Sequence, residues 1–269
     1  MIATAAGAWY VYGVADGAGP DLERKLSQLR GFGPESELRL VGIDGLAAIV
    51  GSVSLDEFGE DALPRRLNDR AWLEEKARAH EDVLQSAAAA TAVVPLRFGT
   101  IYRELDDVTQ LLRARRDELE AALEHVRGRV ELGVKAWVDR AELEQSLAGG
   151  DSAAAARAES GRGYLERRQT ERERSARAAA LIAEVVPAAH ERLAAHAIAA
   201  VANRPQPREL TGRDDAMILN AAYLVPDDDA SLIHEVDALG ETYRHCGITF
   251  EVTGPWPPHN FVDVDMGAR

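Results

Sequence analysis

The chain has 269 residues, 46% of them hydrophobic and 28% charged, a composition that suits a globular protein with room for two cores. Its 31 basic and 45 acidic residues give a formal charge of −14, a field that repels nucleic-acid phosphates and anionic lipid headgroups. The single cysteine, Cys246, allows neither an internal disulfide nor a cysteine-rich metal site, and no apolar run approaches the roughly 20 residues of a membrane-spanning helix. Met1 to Val14 lacks the basic start of an export signal. The expectation is a cytoplasmic protein with no nucleic-acid partner and no membrane.

In chain order, Ala8 to Val14 reads as a strand broken by Gly17, Gly19 and Pro20. Asp21 to Arg30 then takes helical spacing with Leu22, Leu26 and Leu29 on one face. Leu38 to Ile43 and Leu46 to Ser52 are apolar runs joined by Asp44-Gly45; both turn residues tolerate positive φ, so a hairpin is predicted. The spacing predicts a helix from about Arg65 to Ala90 that turns Leu67, Ala71, Val83, Leu84 and Ala87 inward, and a returning strand from Val93 to Leu96. Pro95 cannot donate to a ladder, which ends the pairing or places it at an edge, and Gly99 permits a tight bend. This order, βαββαβ with both helices on one face, is the ferredoxin-like arrangement.

Leu105 to Arg127 predicts a charged helix connecting two halves. A second βαββαβ follows, with a strand from Arg129 to Val138 and a helix capped by Asp139 and ended by Gly149-Gly150. The helix-rich run Ala153 to Ala202 is kinked or divided at Pro187. Strands at Pro207 to Gly212 and Met217 to Val225, a helix from Asp229 to His245 and a strand from Ile248 to Val252 complete the unit. Pro255, Pro257 and Pro258 then predict an extended arm that buries Trp256 and Phe261. The fold class is thus α+β, with two ferredoxin-like βαββαβ domains (1–103 and 129–253), the second carrying an enlarged helical insertion. A connecting helix (104–128) and a Pro-rich C-terminal arm (254–269) complete it.

Chemistry is sparse. Gly17-Ala18-Gly19 lies where a dinucleotide loop would, but Leu22 replaces the third glycine. No phosphate loop and no Gly-x-Ser-x-Gly elbow occurs. His190 and His196 are six apart, whereas ligands on one helical face stand four apart, so both read as solvated helix residues. His245 and Cys246, adjacent at a helix end, are not expected to face each other. Asp227-Asp228-Asp229 lacks calcium-loop spacing and reads as a helix cap. No catalytic residue, cofactor or metal set is expected.

Three stretches remain: Val93-Val94-Pro95-Leu96-Arg97-Phe98-Gly99-Thr100-Ile101-Tyr102, Glu131-Leu132-Gly133-Val134-Lys135-Ala136-Trp137 and Leu219-Asn220-Ala221-Ala222-Tyr223-Leu224-Val225. Together, in this order and at these separations, they resemble the gas vesicle protein F/L family over nearly the whole chain; Gly254 to Pro258 also matches the family's proline-rich ending. The resemblance implies a non-enzymatic minor component or assembly factor of gas vesicles. Its expected partners are the hydrophobic shell subunit and other gas vesicle accessory proteins, met through the first domain, where a free sheet face or edge strand can dock a chain. Arg97, Phe98 and Tyr102 are the candidate partner-binding residues, because arginine and aromatic side chains anchor interfaces. The bland reading pairs Arg97 with Glu104 or Asp106 and lets the two rings fill space between domains. The alternative function is a small-molecule-binding regulatory module or enzyme using an inter-domain cleft.

Overall fold

The computed structural model describes residues 7–33, 35–148, 161–262 and 264. Contacts divide the chain into a first unit, Met1–Val130 with Trp256–Arg269, and a second, Glu131–Pro255. The first contains β1 (Gly7–Asp16), α1 (Pro20–Ser27), β2 (Leu38–Ile43), β3 (Leu46–Ser54), the single turns α2 (Leu55–Phe58) and α3 (Leu63–Arg66), and α4 (Arg70–Ala88). It continues with β4 (Val93–Pro95), β5 (Ile101–Tyr102), α5 (Leu105–Ala114) and α6 (Arg116–Val126). Next come β6 (Arg129–Val138), α7 (Arg140–Ser146), α8 (Gly161–Ala194), β7 (Ala199–Ala202), α9 (Arg208–Thr211), β8 (Ala216–Pro226), α10 (Ser231–Tyr243) and β9 (Ile248–Trp256). The sheets run β2-β3-β1-β4, with β5 also on β1, and β7-β8-β6-β9. Counted within its own unit, each has the order second, third, first, fourth.

The hairpin between β2 and β3 turns where the sequence placed it, with Asp44 at φ 45° and Gly45 at φ 91°. The central strands β1 and β3 are buried along most of their length, because helices lie on both faces of the sheet. Leu22, Leu26, Val83, Leu84 and Ala87 cover one face; Val108 and Leu112 of α5 and Leu119 and Leu123 of α6 cover the other. Residues 104–128, expected as one connecting helix, are therefore two helices built into this unit. A register shift between Val11 and Gly13 changes which β1 side chains face each core. Tyr10 and Tyr12 point to the first face, and past the bulge Val14 joins Val11 on the second. A side chain at position 13 would meet Leu84 Cδ2 and the Val94 carbonyl at 2.8 Å, so glycine is required there.

The inward face of α4 carries Trp72, Lys76, His80, Val83, Leu84 and Ala87. Leu67 lies before this helix and is 42% exposed, and Ala71 is exposed too, contrary to the expected face. Counting alanine as apolar shifted the phase by one residue, and the large ring at Trp72 takes the buried position. Beneath α4, Tyr10 meets Tyr12, Phe32, Phe58, His80 and Phe98 with ring centroids 4.6–6.0 Å apart. The Tyr10 hydroxyl lies 3.0 Å from His80 Nδ1 and accepts from the Gly99 amide at 3.2 Å. Burial pushes the His80 imidazole down to about 4; nearby His259 lowers it further, while Glu81 and a hydrogen bond to the Leu96 backbone oppose the shift.

In the second unit α7, α8 and the end of α10 gather around Val138, Leu143, Ala178, Val185 and Ile248. Asp139 caps α7 as expected, accepting from the Ala141 and Glu142 amides. Helix α8 runs through Pro187 without dividing; Val185, Ala189 and Leu193 are buried on either side and hold it in place. The expected strand at Pro207 to Gly212 is instead the single turn α9, and the second strand of this unit is β7, paired antiparallel with β8 from Ala199↔Leu224 to Ala202↔Ala221. Strand β9 continues through Pro255 to Trp256, where an arm was expected; as the last strand of its sheet it tolerates a residue without a donor. Trp256 is 36% exposed rather than buried, while Pro257 and Pro258 are buried. Gly149-Gly150 and the start of the Ala153 run lie outside the described residues.

Leu112→Ala is expected to lower the unfolding free energy by about 2–5 kcal/mol, whereas exposed Gln110→Ala stays within about 0.5 kcal/mol; urea unfolding of the first unit's transition reads both. His80 gives a pH signature. The unfolded chain takes up its proton near pH 6.5, the folded chain not until about pH 4, so stability is full above that window and falls as pH drops through it. The loss from this group is about 3 kcal/mol. His80→Phe keeps the ring packing, and its unfolding free energy is expected to change less between neutral pH and pH 4 than that of the parent by about this amount.

Candidate functional site

The turn between β4 and β5 is built on Tyr10. Strand β4 pairs with β1 from Gly13↔Pro95 to Ala15↔Val93, the Leu96 amide donates to the Tyr12 carbonyl at 3.0 Å, and the chain then leaves the ladder. Gly99 sits at φ 92°, in the left-handed region. Thr100 closes the loop: its amide and its hydroxyl both donate to the Arg97 carbonyl, at 3.2 and 2.7 Å, and its own carbonyl accepts from Val11 at 2.9 Å. Strand β5 then rejoins β1 at Tyr10↔Ile101 and Trp9↔Tyr102. Residues 97–99 thus bulge outward, with the Gly99 amide secured on the Tyr10 hydroxyl inside the core.

This geometry separates the three predicted residues. Arg97 is exposed on the rim of a cavity of about 320 Å³, shared with Pro95, Leu96, His259, Asn260 and Val262. Phe98 turns into the aromatic core, its centroid 5.8 Å from His80 and 6.3 Å from Trp72. Tyr102 packs on the opposite face of the sheet, against the cluster of Val11, Val108 and Leu112. Beside Tyr102, Trp9 lies under the Arg39 guanidinium at 5.6 Å. Arg97 and Phe98 are neighbours at one loop; Tyr102 presents a different surface.

The C-terminal tail completes the rim. His259 Nε2 lies 2.9 Å from the Glu81 carboxylate on α4, and Val262 and Val264 pack against the cluster under α5 and α6. His80, Tyr10 and the His259–Glu81 contact were not singled out from the sequence. Trp72, Lys76 and His80 recur at four-residue intervals, a face that could have been read.

The remaining candidates resolve into structural contacts. Asp229 accepts from the amide of Ser231, the first residue of α10, at 2.8 Å, which holds its carboxyl below the usual range; the N-cap position itself is Ala230. His190 is half-buried with Nδ1 2.7 Å from the Tyr223 hydroxyl, so it is more than a solvated helix residue. His245 Nε2 and Cys246 Sγ do approach, at 3.2 Å, because a tight three-residue turn, not an α-helix, carries them. Trp137 is covered by the Arg213 guanidinium at 4.3 Å and donates to Glu251. Among the described residues no three His, Cys, Asp or Glu side chains are placed to hold a metal ion, and no helix is long and apolar enough to cross a membrane.

The sequence pattern of the family described as gas vesicle synthesis protein GvpL/GvpF matches residues 8–263. The chain is 36% identical to gas vesicle protein L of Streptomyces sp. (strain CB03234), over 95% of this chain and 92% of that protein. It is 30% identical to gas vesicle protein F of the same strain, over 94% and 99%. The crystal structure of GvpF from Anabaena sp. PCC7120 superposes with a TM-score of 0.68 at 19% identity, over 96% of this chain and 97% of that one, and so shares its fold of helices and two antiparallel sheets. GvpF from Microcystis aeruginosa gives 0.63 at 18% identity, over 96% and 99%. By its sequence, the chain belongs to the gas vesicle synthesis protein GvpL/GvpF family.

Proposed function

We propose that this protein serves gas vesicle formation by binding the hydrophobic shell subunit through its first unit, as a chaperone-like factor or a minor shell component in the cytoplasm, without catalysis. Family membership supplies the process. Both units, on this reading, are ferredoxin-like, since each has the strand order of that arrangement. The observation that carries the contact is the cover on both faces of the first sheet, which leaves its edges as the place for a partner. Among the described residues β2 pairs with β3 alone, so its outer row of amides and carbonyls meets no strand. A partner strand added there gains main-chain bonds while side chains choose the sequence. Arg97 at the opposite, interrupted edge supplies a second point of contact, with Phe98 fixing its loop from inside and Tyr102 extending the surface beside Trp9.

Co-expression with the shell subunit tests this by the amount of subunit that stays soluble and co-purifies. Consecutive amides of a strand point to opposite sides, so of Arg39→Pro and Gly42→Pro, both at exposed positions of β2, one removes only an outward donor. The variant that keeps the parent melting temperature is expected to retain several-fold less subunit, and Arg97→Glu to weaken retention as well. Full retention by both variants refutes docking at these edges.

A further inference from the structure

The strands that end the two sheets differ in how they meet solvent. Strand β9 carries Glu251 and Pro255, β2 carries Arg39 and β4 carries Pro95; charge and proline are the usual means of keeping an edge from pairing with another chain. Strand β7 has neither. Its Ala199-Ala200-Val201-Ala202 is half-buried to exposed and pairs on one side only, with β8. The groups it leaves unpaired can be assigned. The Asn203 amide donates to the Asn220 carbonyl at 2.7 Å, in register with Ala202↔Ala221 and Ala199↔Leu224. Main-chain groups turn alternately to the two sides of a strand, so residues 199, 201 and 203 face β8, and the N–H and C=O of Ala200 and Ala202 face outward. Among the described residues no strand meets them. Ile198, just before the strand, is 45% exposed, so apolar surface borders this edge.

We infer that β7 pairs with β7 of a second copy of this chain, antiparallel across a two-fold axis, so that two four-stranded sheets join edge to edge. The register follows from the outward groups. Ala200 opposite Ala202 of the second copy, and Ala202 opposite its Ala200, exchange four main-chain hydrogen bonds, with Val201 beside Val201 on the axis. No other antiparallel register of this strand on itself places both outward residues of each copy in hydrogen-bonded pairs. The edge is therefore complementary to itself, which is what a two-fold contact requires. Charge points to the same occupant. Two copies at −14 repel wherever their acidic surfaces meet, and an uncharged edge is where that repulsion is least. An edge of alanine and valine also offers no guanidinium or carboxylate by which an oppositely charged partner would be chosen. The contact lies in the second unit and is independent of the edges of the first sheet.

Sedimentation velocity of the full chain, from about 1 to 100 µM, tests this. A concentration-dependent dimer is expected, with a dissociation constant on the order of 10 µM because the ladder is short. Ala202→Pro removes an outward donor and leaves the β8 ladder intact; it is expected to weaken the dimer about tenfold. Val201→Lys sets two ammonium groups against each other on the axis without altering the main chain, and is expected to do the same. Melting temperatures of the dilute, monomeric proteins separate loss of the dimer from loss of the fold. A third variant reads the contact directly. Paired residues with no hydrogen bond between them stand about 4.5 Å apart, within disulfide reach, so Val201→Cys oxidised with copper phenanthroline is expected to link two copies. The parent, whose Cys246 is buried, and Asp237→Cys, at an exposed position of α10, are expected to stay unlinked. A parent that is monomeric throughout overturns the proposal. So does a dimer that Ala202→Pro and Val201→Lys both leave intact, or linkage at position 237 as fast as at 201.

Discussion

The hydroxyl of Tyr10 is the contact on which the first unit's arrangement depends. A tyrosine wholly inside an apolar core is stabilised by pairing its oxygen, because an unpaired buried hydroxyl costs roughly 1–3 kcal/mol. Here it is paired twice, with the His80 imidazole on α4 and the Gly99 amide of the loop between β4 and β5. One atom thus joins the central strand, the helix over it and the loop at the sheet edge. Burial also sets the protonation state of the imidazole, keeping the ring neutral against the bond to the Leu96 backbone, which favours the charged form.

Covering a sheet on both faces imposes a further constraint. Each central strand must present apolar side chains in both directions, which removes the alternation that normally reports which side is inside. That explains how much of this unit was legible. The hairpin at Asp44-Gly45 and the strand from Ala8 were readable from turn chemistry and apolar runs. The faces were not, because a one-residue bulge at Tyr12 reverses the alternation within β1 and nothing in the local sequence except Gly13 marks it. The same parity problem hid the divergence of Phe98 and Tyr102, four residues apart yet on opposite faces.

In the second unit the failures have a compositional cause. Strand β7 is Ala-Ala-Val-Ala, three of its four residues alanine, which favours a helix, and antiparallel pairing with Leu224 to Ala221 makes it a strand. The strand expected at Pro207 to Gly212 falls on a segment that forms a single helical turn. Local signals with a direct mechanism survived: Asp139 and Asp229 each accept from a helix amide as their positions suggest. The candidate site divides in the same way. Arg97 and Gly99 could be singled out by type and setting, whereas the His259–Glu81 contact joins residues 178 apart and has no sequence signature.

The second unit is an insertion within the chain of the first, which resumes at Trp256. Biosynthesis therefore meets the first unit in two instalments. Its sheet and helices emerge from the ribosome early, but Val262 and Val264, which seal the cluster under α5 and α6, arrive only after the whole second unit has been made. Until then the nascent first unit lacks these two side chains, and its completion waits on synthesis of the second.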